Sequence, residues 1–252
     1  MENRKDRTPE RQLLFNRRKM NITEFLDHHN GPNVMFCYGT SGVIDLAKNM
    51  LSNRHGMNIV FFALDFGAAS AMRQYCEVVD YFDPDTKGTL EVGTPEFKKA
   101  VWSSWIIGNE ILKRGKSYIY IDLDCVILQN FEDELLNRLK HWDCVIQAQD
   151  VGCCCGLYGM APNERTIDLI TEPNYNYPDD EHYFNTEIFG SNRITICKLR
   201  RRYYPDGNFY AKDTEIRINT DRKPWGYRLV HFNRTKNKIQ EIKQAGLWNG
   251  LL

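Results

Sequence analysis

The sequence predicts an α/β fold organised on a doubly wound, mostly parallel sheet, with a smaller sheet and further helices in its second half. Between Asn33 and Leu128, short apolar runs alternate with segments of helical period, the pattern of strands joined by crossover helices. The runs are nearly unbroken in apolar residues, as strands covered on both faces are. Polar side chains gather where the runs end, at Tyr38 to Ser41, at Asp65 and at Asp122 with Asp124. Ligands in such sheets bind beyond the carboxyl ends of the strands, so these termini mark one crevice.

Residues 1 to 30 read as a charged N-terminal arm or surface helix, residues 31 to 130 as the first half of one continuous domain, and residues 131 to 252 as the second half. Asn33 to Tyr38 is a buried strand that breaks at Gly39-Thr40-Ser41-Gly42. The helix after it carries Val43, Leu46, Ala47, Met50 and Leu51 on one face, and Gly56 stops it. Met57 to Leu64 is the second strand and ends at Asp65. Ala68 to Cys76 reads as a short helix, Val78 to Phe82 as the third strand, and Asp83-Pro84-Asp85 as a turn. Residues 96 to 114 make a long helix with Lys113 and Arg114 in its last turn and Gly115 as its stop.

That helix leads into Lys116 to Leu128, read as a single strand. Alternation sends Ile119, Ile121, Leu123, Cys125 and Ile127 to one face and Tyr118, Tyr120, Asp122 and Asp124 to the other. Two residues along a strand span roughly 6.6 Å, so the two carboxylates are close neighbours. Like charges that near, with little water, raise each other's pKa or need a cation. A hard divalent ion with oxygen ligands, Mn²⁺ or Mg²⁺, suits them. In the second half, Asp133 to Leu139 reads as a helix, Asp143 to Ala148 and Gly156 to Met160 as strands, and Asn163 to Ile170 as a helix. Ile194 to Leu199 and Trp225 to Phe232 read as strands, Arg200 to Asp213 as a loop, and Lys236 to Leu247 as a segment with Ile239, Ile242 and Leu247 on one side.

Composition sets bounds on function. Lys plus Arg and Asp plus Glu both number 33, so no overall field points to a nucleic-acid partner. No apolar run approaches the roughly 20 residues of a membrane span, and Met1 to Met20 lacks the apolar core of a signal peptide. The expectation is a cytoplasmic protein with no membrane span. Five of the eight cysteines (Cys37, Cys76, Cys125, Cys144 and Cys197) sit in apolar contexts, which suits a reducing compartment. Cys153-Cys154-Cys155 lacks the gaps that structural zinc sites use.

The parts resemble GT-A type nucleotide-diphosphosugar transferases, specifically the family that includes plant cell-wall xylosyltransferases and galactosyltransferases. The resemblance spans about residues 33 to 248. It rests on Asp45-Leu46-Ala47-Lys48-Asn49 followed by Ala63-Leu64-Asp65, on Trp102 to Gly115 leading to Ile121-Asp122-Leu123-Asp124, and on His231-Phe232-Asn233 with Lys236, Lys238 and Gly246-Leu247-Trp248. It implies a GT-A-like fold whose smaller sheet lies on the acceptor side. It implies that Asp124, with Asp122 nearby and His231 as a further ligand, holds Mn²⁺ or Mg²⁺ against the diphosphate of a nucleotide sugar, most simply a UDP-linked one. The acceptor is then a glycan or glycoprotein hydroxyl. Breaking the bond from the anomeric carbon to the diphosphate builds negative charge, which a metal and a lysine neutralise; Lys236 and Lys238 are placed to do so.

Under the same resemblance, Tyr38, Thr40 and Ser41 contact base and ribose, Asp65 lies at the crevice edge, and Asn233 adjoins the ligand histidine. Ser103 and Ser104 stand where relatives often carry a basic residue, leaving Lys99, Lys98 or Arg73 to meet the diphosphate. Gly152 to Gly159 and Asp179-Asp180-Glu181 with Asn185 match the substrate loops, and Asp150 competes as the acceptor-side carboxylate that takes a proton or orients the sugar. Two other classes remain open at this level. Asp122-Leu123-Asp124-Cys125-Val126 also satisfies the pattern of haloacid-dehalogenase-type phosphatases, with Asp122 as nucleophile. A non-catalytic relative that binds a glycan or nucleotide is the third.

Overall fold

The computed structural model describes residues 19–169, 173–220, 226–233 and 237–249. Its main sheet has seven strands in the order β3-β2-β1-β4-β7-β6-β8. β1 (Asn33–Gly39), β2 (Ile59–Ala63), β3 (Val78–Asp80) and β4 (Ser117–Ile121) pair in parallel. β7 (Cys153–Met160) runs antiparallel to both β4 and β6 (Cys144–Ala148), and β6 pairs in parallel with β8 (Ile196–Leu199). The sheet is therefore mostly parallel, with one reversed strand near its middle. The chain builds outward from β1 through β2 to β3, then returns to place β4 on the other side of β1. Between β1 and β4 the order switches direction, which opens a crevice at their carboxyl ends.

Helices cover both faces, and the strand alternation sorts the core into two clusters. On one face α2 (Ile44–Ser52), α3 (Phe66–Met72) and α5 (Glu132–Leu139) pack Met50, Met72 and Leu135 with Cys37, Phe61 and Ile119. On the other, α1 (Ile22–His28) and α4 (Pro95–Lys113) bring Phe25, Trp102 and Trp105 against Phe36, Phe62 and Tyr118. α4 is punctuated at both ends: the Thr94 hydroxyl accepts from Phe97 N at 3.2 Å, Pro95 opens the helix, and Gly115, the expected stop, follows its end at φ +69°. α1 opens with a reciprocal cap in which Asn21 and Glu24 each bond the other's backbone N–H, satisfying donors that the first turn leaves open. Met20, Phe25 and Leu26 are buried, so this part of the N-terminal segment is docked.

Three sequence expectations are corrected. Lys116 to Leu128 is not one strand: β4 stops at Ile121, the chain turns through Asp122 to Asp124, and β5 (Cys125–Ile127) joins a separate two-stranded sheet with β9 (Leu229–His231). Ile119, Ile121, Leu123, Cys125 and Ile127 still share one core cluster, because the turn preserves the alternation of faces. Periodicity alone does not register such a break. β7 begins at Cys153 rather than Gly156, with Cys153 and Cys155 packed in one cluster. Arg200 to Asp213 is not all loop, since α8 (Gly207–Thr220) starts within it after Asp206 caps Phe209 N at 2.8 Å. The four-turn helix is polar, so its sequence shows little apolar period. The C-terminal α9 (Lys238–Gln244) buries Ile242 against Val126, Val230 and Phe232 and so clamps the small sheet.

Gly108 shows how tightly α4 lies on the sheet. A Cβ there would sit 2.5 Å from the fully buried Tyr118 ring, which has no room to yield. In an exposed helix Gly→Ala stabilises by up to about 1 kcal/mol. Here Gly108→Ala is expected to destabilise by about 1–3 kcal/mol through overpacking, read as a lower denaturant midpoint at unchanged slope.

Candidate active site

The crevice at the switch between β1 and β4 is a cleft of about 420 Å³. Asp122 and Asp124 enter it from the turn after β4, His231 from the end of β9, and Lys238 from the first residue of α9. Backbone pairing fixes their meeting. Cys125 stands opposite His231 in the small sheet, Phe232 N donates to Asp124 O at 3.0 Å, and Asp122 N donates to Gly156 O at 2.8 Å. Residues over a hundred apart in sequence are thereby locked into one cluster. His231 Nε2 lies 3.0 Å from Asp124 Oδ1 and 3.5 Å from Asp122 Oδ2. Lys238 Nζ bonds the other Asp124 oxygen, and the Tyr120 hydroxyl donates to Asp122 Oδ1.

Asp124 and His231 are each 3% exposed, a depth at which an unpaired charge is costly. Burial opposes ionisation of Asp124, but the charges of His231 and Lys238 outweigh it and hold the carboxyl well below its usual range. Burial likewise opposes charge on His231, and Asp124 foremost among its neighbours reverses that, holding the imidazole well above its usual value. The ring is also oriented. Gln147 Nε2 donates to the carbonyls of Tyr204 and Pro205, both at 3.1 Å, which turns Gln147 Oε1 toward His231 Nδ1 at 3.1 Å. Nδ1 thus carries a proton donated to Gln147, and Nε2 faces the carboxylates. Gly156 makes the space: a Cβ there would lie 2.0 Å from His231 Cε1.

These donors fit a hard divalent cation. Ligands about 2.1 Å from an octahedral centre lie about 3.0 Å from one another, and the Asp124–His231 separation is 3.0 Å. Asp122 Oδ2 stands 3.5 Å from the same imidazole nitrogen, and the lysine sits on the far oxygen of Asp124. Cys125 has its sulfur in the same neighbourhood. Burial pushes its thiol well above the ordinary range, foremost among the causes, so it stays protonated and is a poor partner for a hard ion.

The opposite wall carries Asp180 and Glu181, at the start of α7 (Asp180–Tyr183). Asp180 is buried and accepts from Trp105 Nε1 at 2.9 Å. Burial pushes its carboxyl well above the usual range; the Trp105 bond opposes this, while the charges of Asp122, Asp179 and Glu181 add to it. Glu181 is half-buried and both its oxygens accept from Gln149 Nε2, at 3.1 and 3.2 Å. Tyr38 lines the cleft stacked on Tyr120, with ring centroids 5.4 Å apart and planes at 21°, and donates to Val101 O at 3.2 Å. Thr40 and Asn233 also line it.

A family model for nucleotide-diphospho-sugar transferases matches residues 54–241 of the 252. The chain belongs to that family. The transferase is similar in fold to the apo crystal structure of mouse xyloside xylosyltransferase 1, at TM-score 0.54 and 12% identity over 80% of this chain and 98% of that one. An active-site mutant of LgtC is similar at TM-score 0.50 and 13% identity, covering 87% of this chain and 97% of the other. The bifunctional glycosyltransferase WbbM gives TM-score 0.52 at 10% identity, covering 88% of this chain and 50% of the other. No curated protein matches the sequence. Fold and family together make the α/β core a GT-A arrangement and the protein a glycosyltransferase, as the sequence resemblance implied.

Not every expected site residue reaches the cleft of the transferase. Asp65 is fully engaged as a tie: Oδ1 caps α3 at Ala68 N, 2.7 Å away, and Oδ2 accepts from Ser41 N, Ser41 Oγ and Gly88 N within 3.1 Å. Asp65 and Ser41 therefore brace the loop beside Thr40. Asn185 bonds both backbone groups of Cys153 at 2.8 Å, which anchors the start of β7. Lys99 is bonded to Asp83 and Asp85 at 2.9 and 2.7 Å and, with Lys98, lines a different hollow beside Tyr175. Arg73 pairs with Asp80, and exposed Asp150 with Arg201. Lys236 and Trp225 lie outside the described residues. Among the described residues no helix is long and apolar enough to cross a membrane.

Gln147, Gln149 and Trp105 carry no site role in the sequence reading, and Gly156 only as part of the Gly152 to Gly159 stretch. Each acts by holding another side chain, and nothing in a sequence pattern distinguishes such a residue from its neighbours. Gly156 gives one sharp expectation: Gly156→Ala should drive His231 off its position and weaken Mn²⁺ binding by about tenfold or more, measured by calorimetry. Asp180 gives another. The folded state keeps its proton where the unfolded chain, titrating near about 3.9, has lost it. Stability should therefore fall as pH rises above that value, and Asp180→Asn should lose this component, seen as a smaller drop in Tm between acidic and neutral pH than in the wild type.

Proposed function

We propose that the protein is a metal-dependent glycosyltransferase that moves a sugar, most simply from a UDP-linked donor such as UDP-xylose or UDP-galactose, to a hydroxyl of a glycan or glycoprotein. The observation that carries this reading is the convergence of Asp122, Asp124 and His231 with Lys238 at the switch-point cleft of a member of this family. Xylose is a natural first choice because one structure of the same fold is a xyloside xylosyltransferase.

A divalent cation held by Asp122, Asp124 and His231 supplies charge neutralisation for the diphosphate leaving group. Lys238, at the mouth of the same cluster, adds a point charge toward the phosphates. Tyr38, backed by Tyr120, offers an aromatic surface for the nucleobase. Thr40 and Asn233 line the same cleft. Asp180 in its neutral form presents a hydrogen-bond donor to a sugar hydroxyl. Glu181, held by Gln149, presents a carboxylate toward the reacting sugar, where it can offset positive charge building at the anomeric carbon or take the acceptor's proton. Asp150, paired with Arg201 at the surface, is set aside from that role.

Asp122 accepts from Tyr120 and faces His231, an environment that suits a metal ligand better than a nucleophile. Together with the family match this favours sugar transfer over the phosphatase reading. Asp124→Asn should lower affinity for UDP in the presence of Mn²⁺ by about a hundredfold, while weak metal-free binding changes little. Calorimetry with and without Mn²⁺ reads both. Undiminished Mn²⁺-supported affinity in that variant would sink the metal assignment, and turnover of UDP-xylose or UDP-galactose by the wild type tests the transfer itself.

A further inference from the structure

Asp124 and His231 belong to two overlapping donor sets. With Asp122 they offer two carboxylates and an imidazole nitrogen to a hard ion. On the other side, one oxygen of Asp124, the sulfur of Cys125 and one nitrogen of His231 all lie within 4.8 Å of one another, and all three residues are buried. Cys125 is delivered there by the register of the small sheet, in which it pairs directly with His231. Among the described residues its sulfur also makes a contact of 3.6 Å to Gly156 O. A tetrahedral zinc ion with ligands at about 2.0–2.3 Å spaces them about 3.3–3.8 Å apart, so the set needs to close by less than the width of an atom.

We propose that this second set is a thiophilic metal site: Zn²⁺ or Cd²⁺ binds Asp124, His231 and Cys125, excludes the hard cation that shares two of those ligands, and so shuts off the transferase. The proposal rests on the metal reading of the cleft, which it deepens into regulation by metal identity. On binding, the Cys125 S–H bond breaks, the sulfur–metal bond forms, and the proton passes to bulk buffer; no oxidant or reductant takes part. Divalent-ion affinity at a given N, O and S site rises from Mn²⁺ to Zn²⁺, and a thiolate strengthens that preference. Cys154 is not part of the set. Its sulfur lies 3.3 Å from His231 Nδ1, the nitrogen turned away from Asp124 and toward Gln147.

Cadmium makes the thiolate visible, because its bond to sulfur gives an ultraviolet charge-transfer band that oxygen and nitrogen ligands do not. Titrating the full chain with Cd²⁺ should produce this band at one equivalent, and Zn²⁺ should abolish it by competition. The band should be lost in Cys125→Ala and in Asp124→Asn and kept in Cys154→Ala, with folding of each checked by circular dichroism. Mn²⁺-supported UDP affinity should stay within about threefold of wild type in Cys125→Ala, while the Zn²⁺ concentration that halves it should rise at least tenfold. No band in the wild type, or a band that survives Cys125→Ala, overturns the proposal. If the band depends on Cys125 yet Mn²⁺ supports no UDP binding in the wild type, the reading of the hard-metal site fails instead, and the thiophilic site stands.

Discussion

The buried carboxylate of Asp124 is the constraint around which the site is built. At 4% side-chain exposure it has lost nearly all its water, and a charge so placed must be matched by partners of opposite sign. His231 and Lys238 supply that match from segments over a hundred residues away, and each needs its own support. His231 depends on the β5–β9 pairing, on Gln147 for its orientation and on Gly156 for space. Lys238 depends on α9, which Ile242 fixes to the same small sheet. One desolvated charge thus ties the C-terminal part of the chain to the middle of the fold. Under the proposed function, a divalent cation at the same point would replace the positive charge these groups provide, which would link the architecture of the site to its chemistry.

Topology decides where this happens. Because the chain builds outward from β1 and then returns to add β4, the ends of those two strands diverge and leave a cleft. Tyr38 and Thr40 arrive on the β1 side and the Asp122–Asp124 turn on the β4 side. The reversed strand β7 closes the far side, and its first residue is pinned by Asn185, next to Glu181 on the adjoining helix. A doubly wound sheet would hold a nucleotide at this switch point in any case. The turn at Asp122 to Asp124 brings two carboxylates to within 3.5 Å of one histidine nitrogen.

The carboxylates also differ in kind. Asp124 is sealed in and paired, Asp122 is half open and bonded to Tyr120, and Asp180 lies beside an indole N–H with its carboxyl pushed well above the usual range by burial. Three acids around one cleft therefore sit in three different environments. Environment rather than residue type sets them apart.

Local pattern determined a great deal. The alternation of strand and helix, the inward set Ile119, Ile121, Leu123, Cys125 and Ile127, the Gly115 stop of α4 and the placing of Tyr38, Asp122 and Asp124 at strand ends are all readable from side chains a few residues apart. The motif order also sufficed to indicate the family and the link between the central acids and His231. What only tertiary structure decided were contacts between segments distant in sequence. The break of the central strand follows from β9 capturing Cys125 to Ile127, a pairing across about a hundred residues that no local periodicity encodes. Asp65 looked like a site residue because it stands at a strand end, and Asn185 because it matches the family's substrate loops, yet their hydrogen bonds are spent on Ser41, Gly88 and Cys153. Gln147 and Gly156 looked ordinary because their work is to orient and to leave room. Hydrophobic spacing is a property of the chain, whereas satisfaction of buried charge is a property of the folded neighbourhood.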